Sequence, residues 1–181
     1  MRSKALFLPV ILAMCILLAG CGRKTVYDAK ADPNEQLSAA VQKVRDEGTK
    51  KFVLMQIGGD WCPWCMRLER LIEEDAELQA ALNDKFERVH IYYGKDKKNT
   101  DFLRRFGSPQ DHGVPVLVVL NVEDGTWRIH GTGIFEDGDG YDRDSLLAFF
   151  RTYGMSDDGG EAESVVQADA VVEAEEWAGE Q

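Results

Sequence analysis

The chain has 181 residues with a formal net charge of -11, and 32 acidic side chains face 21 basic ones. That sign excludes a surface built to hold nucleic acid phosphates. A typical structural zinc site takes two ligand pairs; with Cys15 expected to leave with a signal and Cys21 to carry lipid, Cys62 and Cys65 are one pair without a second, and with three histidines no metal is expected.

The chain opens as an address. Arg2 and Lys4 precede an apolar run from Ala5 to Ala19, broken only by Pro9. Such a run is shorter than the roughly 20 residues of a membrane span. Residues 1–20 are therefore expected to be a signal peptide, removed on export. Leu18-Ala19-Gly20-Cys21 resembles the lipobox of bacterial lipoproteins. That resemblance implies cleavage before Cys21 and a diacylglyceryl anchor on its sulfur. Because Gly22 rather than Asp follows, it implies the periplasmic face of the outer membrane. Residues 21–33 are expected to be a tether from the lipid to the fold.

Residues 34–154 carry the folding pattern. Asn34 is expected to cap a helix with Leu37, Ala40, Val41 and Val44 on one stripe, ended by Gly48. Lys51–Ile57 is a largely buried strand, and Gly58-Gly59 turns the chain tightly into Trp61-Cys62-Pro63-Trp64-Cys65. One long helix is expected from Pro63 to Leu82, with Leu68, Leu71, Ile72, Leu78 and Leu82 inward. Phe86–Tyr93 is a second strand and Thr100–Phe106 a short helix. Val114-Pro115 leads into the apolar strand Val116–Leu120. Glu123-Asp124-Gly125 signals a hairpin returning through Thr126–Gly131. A last helix from Asp142 or Asp144 carries Leu146, Leu147, Phe149 and Phe150. This order predicts an α/β fold with a central mixed sheet of about four strands flanked by helices. Beyond Met155 lie nine acidic residues and no basic one, so 155–181 is expected to be an acidic, disordered tail.

Once Cys15 leaves with the signal and Cys21 is lipidated, Cys62 and Cys65 are the remaining thiols. Two cysteines three positions apart at a helix start can close a small disulfide, and the helix dipole favours a thiolate on the first. The alternative is a purely structural disulfide, which an exported location permits.

The element order, the WCxxC before the second helix and the Val-Pro before the third strand resemble the thioredoxin superfamily over roughly Asn34 to Tyr153. Within it, Gly58-Gly59-Asp60-Trp61-Cys62 is similar to the bacterial envelope branch. The resemblance implies a redox-active Cys62–Cys65 pair and no bound cofactor. Cys62 is the expected nucleophile, Cys65 the resolving thiol and Pro115 a cis-proline presenting Val114 to an extended substrate. Trp61 and Trp64 form an apolar rim for docking.

One position departs from the family. Thioredoxin carries a buried Asp where this chain has Gln56, which cannot ionise. Glu69 lies on the same side of the helix as both cysteines and is a candidate proton acceptor with a raised pKa. His90 alternates with apolar residues and is expected to face solvent or be satisfied locally.

The function implied is an envelope thiol–disulfide oxidoreductase. Trp64 brings no positive charge to the thiolate, unlike the histidine of strongly oxidising relatives, so reduction of substrate disulfides is the preferred direction. Its partners would be disulfide-containing envelope proteins and a membrane thiol electron donor. The rivals are a disulfide oxidase or isomerase, and a redox-silent binding module or holdase.

Overall fold

The computed structural model describes residues 25–50 and 52–154. The expected signal peptide, the lipidation site Cys21 and the acidic tail lie outside the described residues.

Helix α1 (Pro33–Glu47) is capped by Asp32, whose side chain accepts from the Asn34 backbone. Asp32 thus takes the role expected of Asn34, because Pro33 fits the first helical position, where no N–H is needed. Gly48, at φ 63°, ends the helix in the left-handed region that glycine tolerates. Strand β1 (Phe52–Gly58) is buried along nearly its whole length.

The expected single helix from Pro63 to Leu82 is two. Helix α2 (Pro63–Glu74) stops at Asp75, which is extended and caps helix α3 (Ala76–Lys85) by accepting from the Glu77 and Leu78 backbones. Two apolar stripes, Leu68/Ile72 and Leu78/Leu82, thereby face one core with different axes. No glycine or proline marks the break. An Asp that bonds its own downstream backbone is enough.

Strand β2 (Phe86–Tyr92), helix α4 (Thr100–Arg104), strands β3 (Val116–Asn121) and β4 (Trp127–Gly131), a two-residue hairpin β5–β6 (Glu136–Asp137, Gly140–Tyr141) and helix α5 (Arg143–Thr152) complete the order. Asp142 is the cap of α5. The hairpin turns at Gly138 and Asp139. Short 3-10 turns at Pro109–His112 and Thr132–Phe135 fill two connections.

The sheet order is β2-β1-β3-β4, with β1 parallel to β2 and antiparallel to β3. This is the expected four-stranded mixed sheet. Alternation along β1 divides the core: Val53, Met55 and Ile57 pack with α1 and α4, while Leu54 packs with α2, α3 and α5. Each fully buried Leu or Ile contributes about 1.5–3 kcal/mol. On the second face the register aligns Leu54 with Arg88, Gln56 with His90 and Gly58 with Tyr92. That row of β2 side chains runs beneath α2 and sets the chemistry behind the cysteines.

The 21–33 segment is not wholly a tether. Asp60 accepts from the backbones of Val26 (3.3 Å) and Tyr27 (3.0 Å), and Tyr27 is 2% exposed. An apolar ring beside polar neighbours finds its burial against the cysteine motif, with Val26, Trp64, Tyr92 and Val114 around it.

Candidate active site

The site begins where β1 ends. Gly58 is buried between strand and helix, and a methyl group there would lie 2.5 Å from the Cys65 sulfur. Only a residue without Cβ lets the backbone pass so close. The Cys62 backbone donates to the Gly59 carbonyl at 2.9 Å, closing the turn. Cys62 is then the N-cap of α2, with Pro63 in the first turn.

The two thiols are free and buried. The Cys62 sulfur accepts from the Cys65 backbone at 3.2 Å and lies 3.5 Å from the Val114 carbonyl. The Cys65 thiol beside it is the largest influence lowering the Cys62 pKa, to about 7; burial opposes the shift, and the Cys65 and Trp64 backbone N–H groups add to it. Cys65 moves the opposite way. Its proton is held by the hydrogen bond to Cys62, burial adds to that, and its pKa is pushed far above the ordinary thiol range. Such a pair has one nucleophile ready near neutral pH and one thiol held in reserve.

The Val114–Pro115 peptide bond is cis, and Pro115 is buried. The Thr132 hydroxyl donates to the Pro115 carbonyl at 2.7 Å, tying this loop to the turn after β4. Val114 is half-buried beside Cys62 and Cys65. Trp61 is 56% exposed, with its indole N–H on the Tyr93 carbonyl at 2.8 Å. Trp64 is half-buried, edge-on to Tyr141 at 5.4 Å, and Arg67 stacks 4.7 Å from its ring centre. The rim is therefore an exposed Trp61, a braced Trp64 and the Val114 loop around one sulfur.

Glu69 differs from its expected state. It is buried, but Arg88 grips both its oxygens at 2.8 and 3.1 Å and His90 Nε2 lies 2.9 Å away. Burial is the largest single influence and raises the pKa, yet His90 and Arg88 together outweigh it, and the net direction is down. Glu69 is an ion-paired carboxylate rather than a protonatable base. The cause is the β2 register, which brings the Arg88 guanidinium and the His90 ring under α2. His90 is accordingly half-buried and bound, not solvent-facing.

Two residues complete the back wall. Gln56 is fully buried, and its amide N–H donates to the Tyr27 hydroxyl at 2.6 Å. Tyr27 stands edge-on to His90 at 5.0 Å. Burial, followed by the negative charge available to Cys65, pushes the Tyr27 pKa well up, so the phenol stays protonated. Tyr27 was not singled out in the sequence. Its only signal is an aromatic next to Val26 in an otherwise polar stretch.

Among the described residues, no group of three or more His, Cys, Asp or Glu side chains is placed to hold a metal ion. The geometry offers thiol chemistry: two free thiols in contact, one of them lowered toward neutral pH, beside the cis-proline loop.

A family model described as thioredoxin-like matches residues 32–121. A disulphide isomerase from Xylella fastidiosa Temecula1 is similar in structure, with a TM-score of 0.62 and 25% identity over 71% of this chain and 96% of its own. A thioredoxin from Thermus thermophilus aligns at TM-score 0.45 and 21% identity, covering 63% of this chain and 80% of its own. A DsbH oxidoreductase aligns at TM-score 0.44 and 18% identity, covering 77% of this chain and 99% of its own. No curated protein matches the sequence. With its mixed sheet, its CxxC at a helix start and the cis-proline beside it, the chain belongs to the thioredoxin superfamily.

Proposed function

We propose that this protein is a thiol–disulfide oxidoreductase of the cell envelope that reduces substrate disulfides. The Cys62 thiolate attacks one sulfur of a substrate disulfide, forming a mixed disulfide and expelling the other sulfur as a thiolate. Cys65 then attacks the Cys62 sulfur. The Cys62–Cys65 disulfide forms, the substrate leaves fully reduced, and the Cys65 proton goes to the departing sulfur. The two electrons come from the cysteine pair, and a membrane thiol donor restores them. A lipid on Cys21 would hold the enzyme beside that donor.

What supports the direction is the surroundings of the Cys62 sulfur: it accepts from the Cys65 backbone and is followed by Trp64 rather than by a basic residue between the cysteines, a setting that lowers its pKa moderately, to about 7. A strongly oxidising pair stabilises its reduced form with a thiolate near pKa ~3.5, whereas a value near ~7 belongs to the reducing end of the scale. The positive Arg67 lies over Trp64 instead of beside the Cys62 sulfur as a contact of its own. A second reading, isomerisation, draws support from the similarity to the Xylella fastidiosa protein.

The equilibrium potential of the Cys62–Cys65 pair in glutathione buffers separates them. The expected value is at or below about -230 mV; one between about -120 and -180 mV would overturn the reducing direction. Exchanging both cysteines for serine is expected to abolish activity. Retained function would favour a binding module on the same fold. Palmitate labelling in cells, lost in Cys21→Ala, is the expected sign of the anchor.

A further inference from the structure

The thiol in reserve poses a chemical problem. Cys65 is fully buried, and its attack on the mixed disulfide places negative charge on its sulfur in a region without water. Thioredoxin meets this with a carboxyl at the position of Gln56, and Glu69 is committed to Arg88 and His90. Some other group must receive the developing charge.

The groups facing Cys65 are few. They are Cys62 from the head of α2, the Gly59 backbone N–H from the turn after β1, Tyr27 from the segment before α1, and Tyr141 from β6, with His90 and Glu69 standing behind Tyr27; Tyr27 brings the hydroxyl donor among them that lies against Cys65 and is already fixed by a neighbour. A methyl group on Gly58 would sit 2.5 Å from the Cys65 sulfur and 3.2 Å from the Tyr27 oxygen, so sulfur and hydroxyl converge on one point. Gln56 donates its N–H to the Tyr27 oxygen at 2.6 Å. A hydroxyl oxygen that accepts there turns its own proton elsewhere, toward the sulfur.

We propose that Tyr27 is a catalytic residue of the resolving step, donating its hydroxyl hydrogen bond to the Cys65 sulfur as that sulfur becomes a thiolate and attacks the Cys62 mixed disulfide. Tyr27 keeps its proton throughout. It acts as a donor aimed at developing charge and not as a base, and the Cys65 proton still leaves with the substrate sulfur. The Gly59 backbone N–H, and after it the hydrogen bond from Tyr27, favour the Cys65 thiolate against burial and against Cys62. Tyr27 lies outside the family-matched region, which starts at residue 32, so this chain recruits the donor from its own N-terminal segment. Asp60, two residues before Cys62, holds that segment in place through the Val26 and Tyr27 backbones.

The inference rests on the oxidoreductase reading, and one experiment separates the two. The reduced full-length chain in detergent, with Cys15 and Cys21 exchanged for serine so that Cys62 and Cys65 are its only thiols, is mixed with dithionitrobenzoate in a stopped-flow instrument over about pH 5 to 9. Attack by Cys62 releases one coloured thiolate, and resolution by Cys65 releases the second. A wild-type chain that releases no second thiolate defeats the oxidoreductase reading itself. Given two releases, Tyr27→Phe is expected to keep the first rate and slow the second about tenfold, as loss of a hydrogen bond to a charged sulfur would. Two unchanged phases, or both slowed together as from a merely structural change, overturn the proposal. If Tyr27→Phe does not fold, Gln56→Leu carries the same test, because it keeps the ring and lets the hydroxyl turn away. Slowing of the second phase alone supports the role, and any other result overturns it.

Discussion

At the scale of single residues, the site works by splitting two chemically identical thiols. Cys62 is lowered to about 7, chiefly by the proton of its neighbour, and Cys65 is raised by the same contact. The rate of alkylation of the reduced protein should therefore rise through a midpoint near pH 7, where Cys62 converts from thiol to thiolate, with Cys65 unmodified. Cys65→Ala removes the largest lowering influence, so its midpoint should move up toward the ordinary thiol value. An unmoved midpoint would mean that the helix N-terminus alone sets the pKa. Glu69 invites a test of opposite sign. Its folded pKa lies below the ordinary carboxylate value, so its contribution to stability is present above that value and lost as pH falls through the lowered one. Glu69→Gln leaves Arg88 and His90 without their carboxylate and should cost roughly 3 kcal/mol at neutral pH. Denaturant unfolding should show the gap to wild type closing in acid.

At the scale of elements, the joint between α2 and α3 matters most. Asp75 caps α3 through two backbone N–H groups at 2.9 and 3.0 Å and binds Arg143 of α5 at 2.7 Å, so one side chain joins three helices. The Arg143 contact is the largest influence holding its pKa at about 2. Asp75→Ala should lower the melting temperature by roughly 4–8 °C at neutral pH, through the lost cap and pair. Because the carboxylate form does this work, the effect should persist above its ordinary pKa and fade only as pH falls toward 2. The break was not legible beforehand. Apolar spacing runs on from Leu71 and Ile72 to Leu78 and Leu82, and Asp75 carries no mark that separates a mid-helix acid from a cap. The strands were legible because their period of two and their flanking turns are local patterns. Their observed ends fall within a residue or two of the expected ones.

At the scale of the whole molecule, a short N-terminal segment closes the back of a site built from the sheet and α2. Val26 and Tyr27 reach it across more than 30 residues of sequence and are held by Asp60 through their backbones. Asp60→Ala should loosen that segment without dismantling the core. Hydrogen exchange is the check: faster exchange confined to Val26 and Tyr27 is expected, with β1 and β3 unchanged. Faster exchange throughout the sheet would show instead that the segment is integral to the core.

The sequence by itself determined the class of fold, the position of the cysteine pair, and Val114-Pro115 as the loop beside it. The first two follow from side-chain period, turn residues and spacing, which act between neighbours in the chain, and the third from the resemblance of the Val-Pro before the third strand to the thioredoxin superfamily. Only the tertiary structure decided how the charges and protons behave. Glu69 is an ion-paired carboxylate because β2 brings Arg88 and His90 beneath it, and Tyr27 is part of the site because Asp60 holds its backbone there. Coulomb and hydrogen-bond energies depend on distance in space. No local pattern in the chain records which distant residue will come within 3 Å.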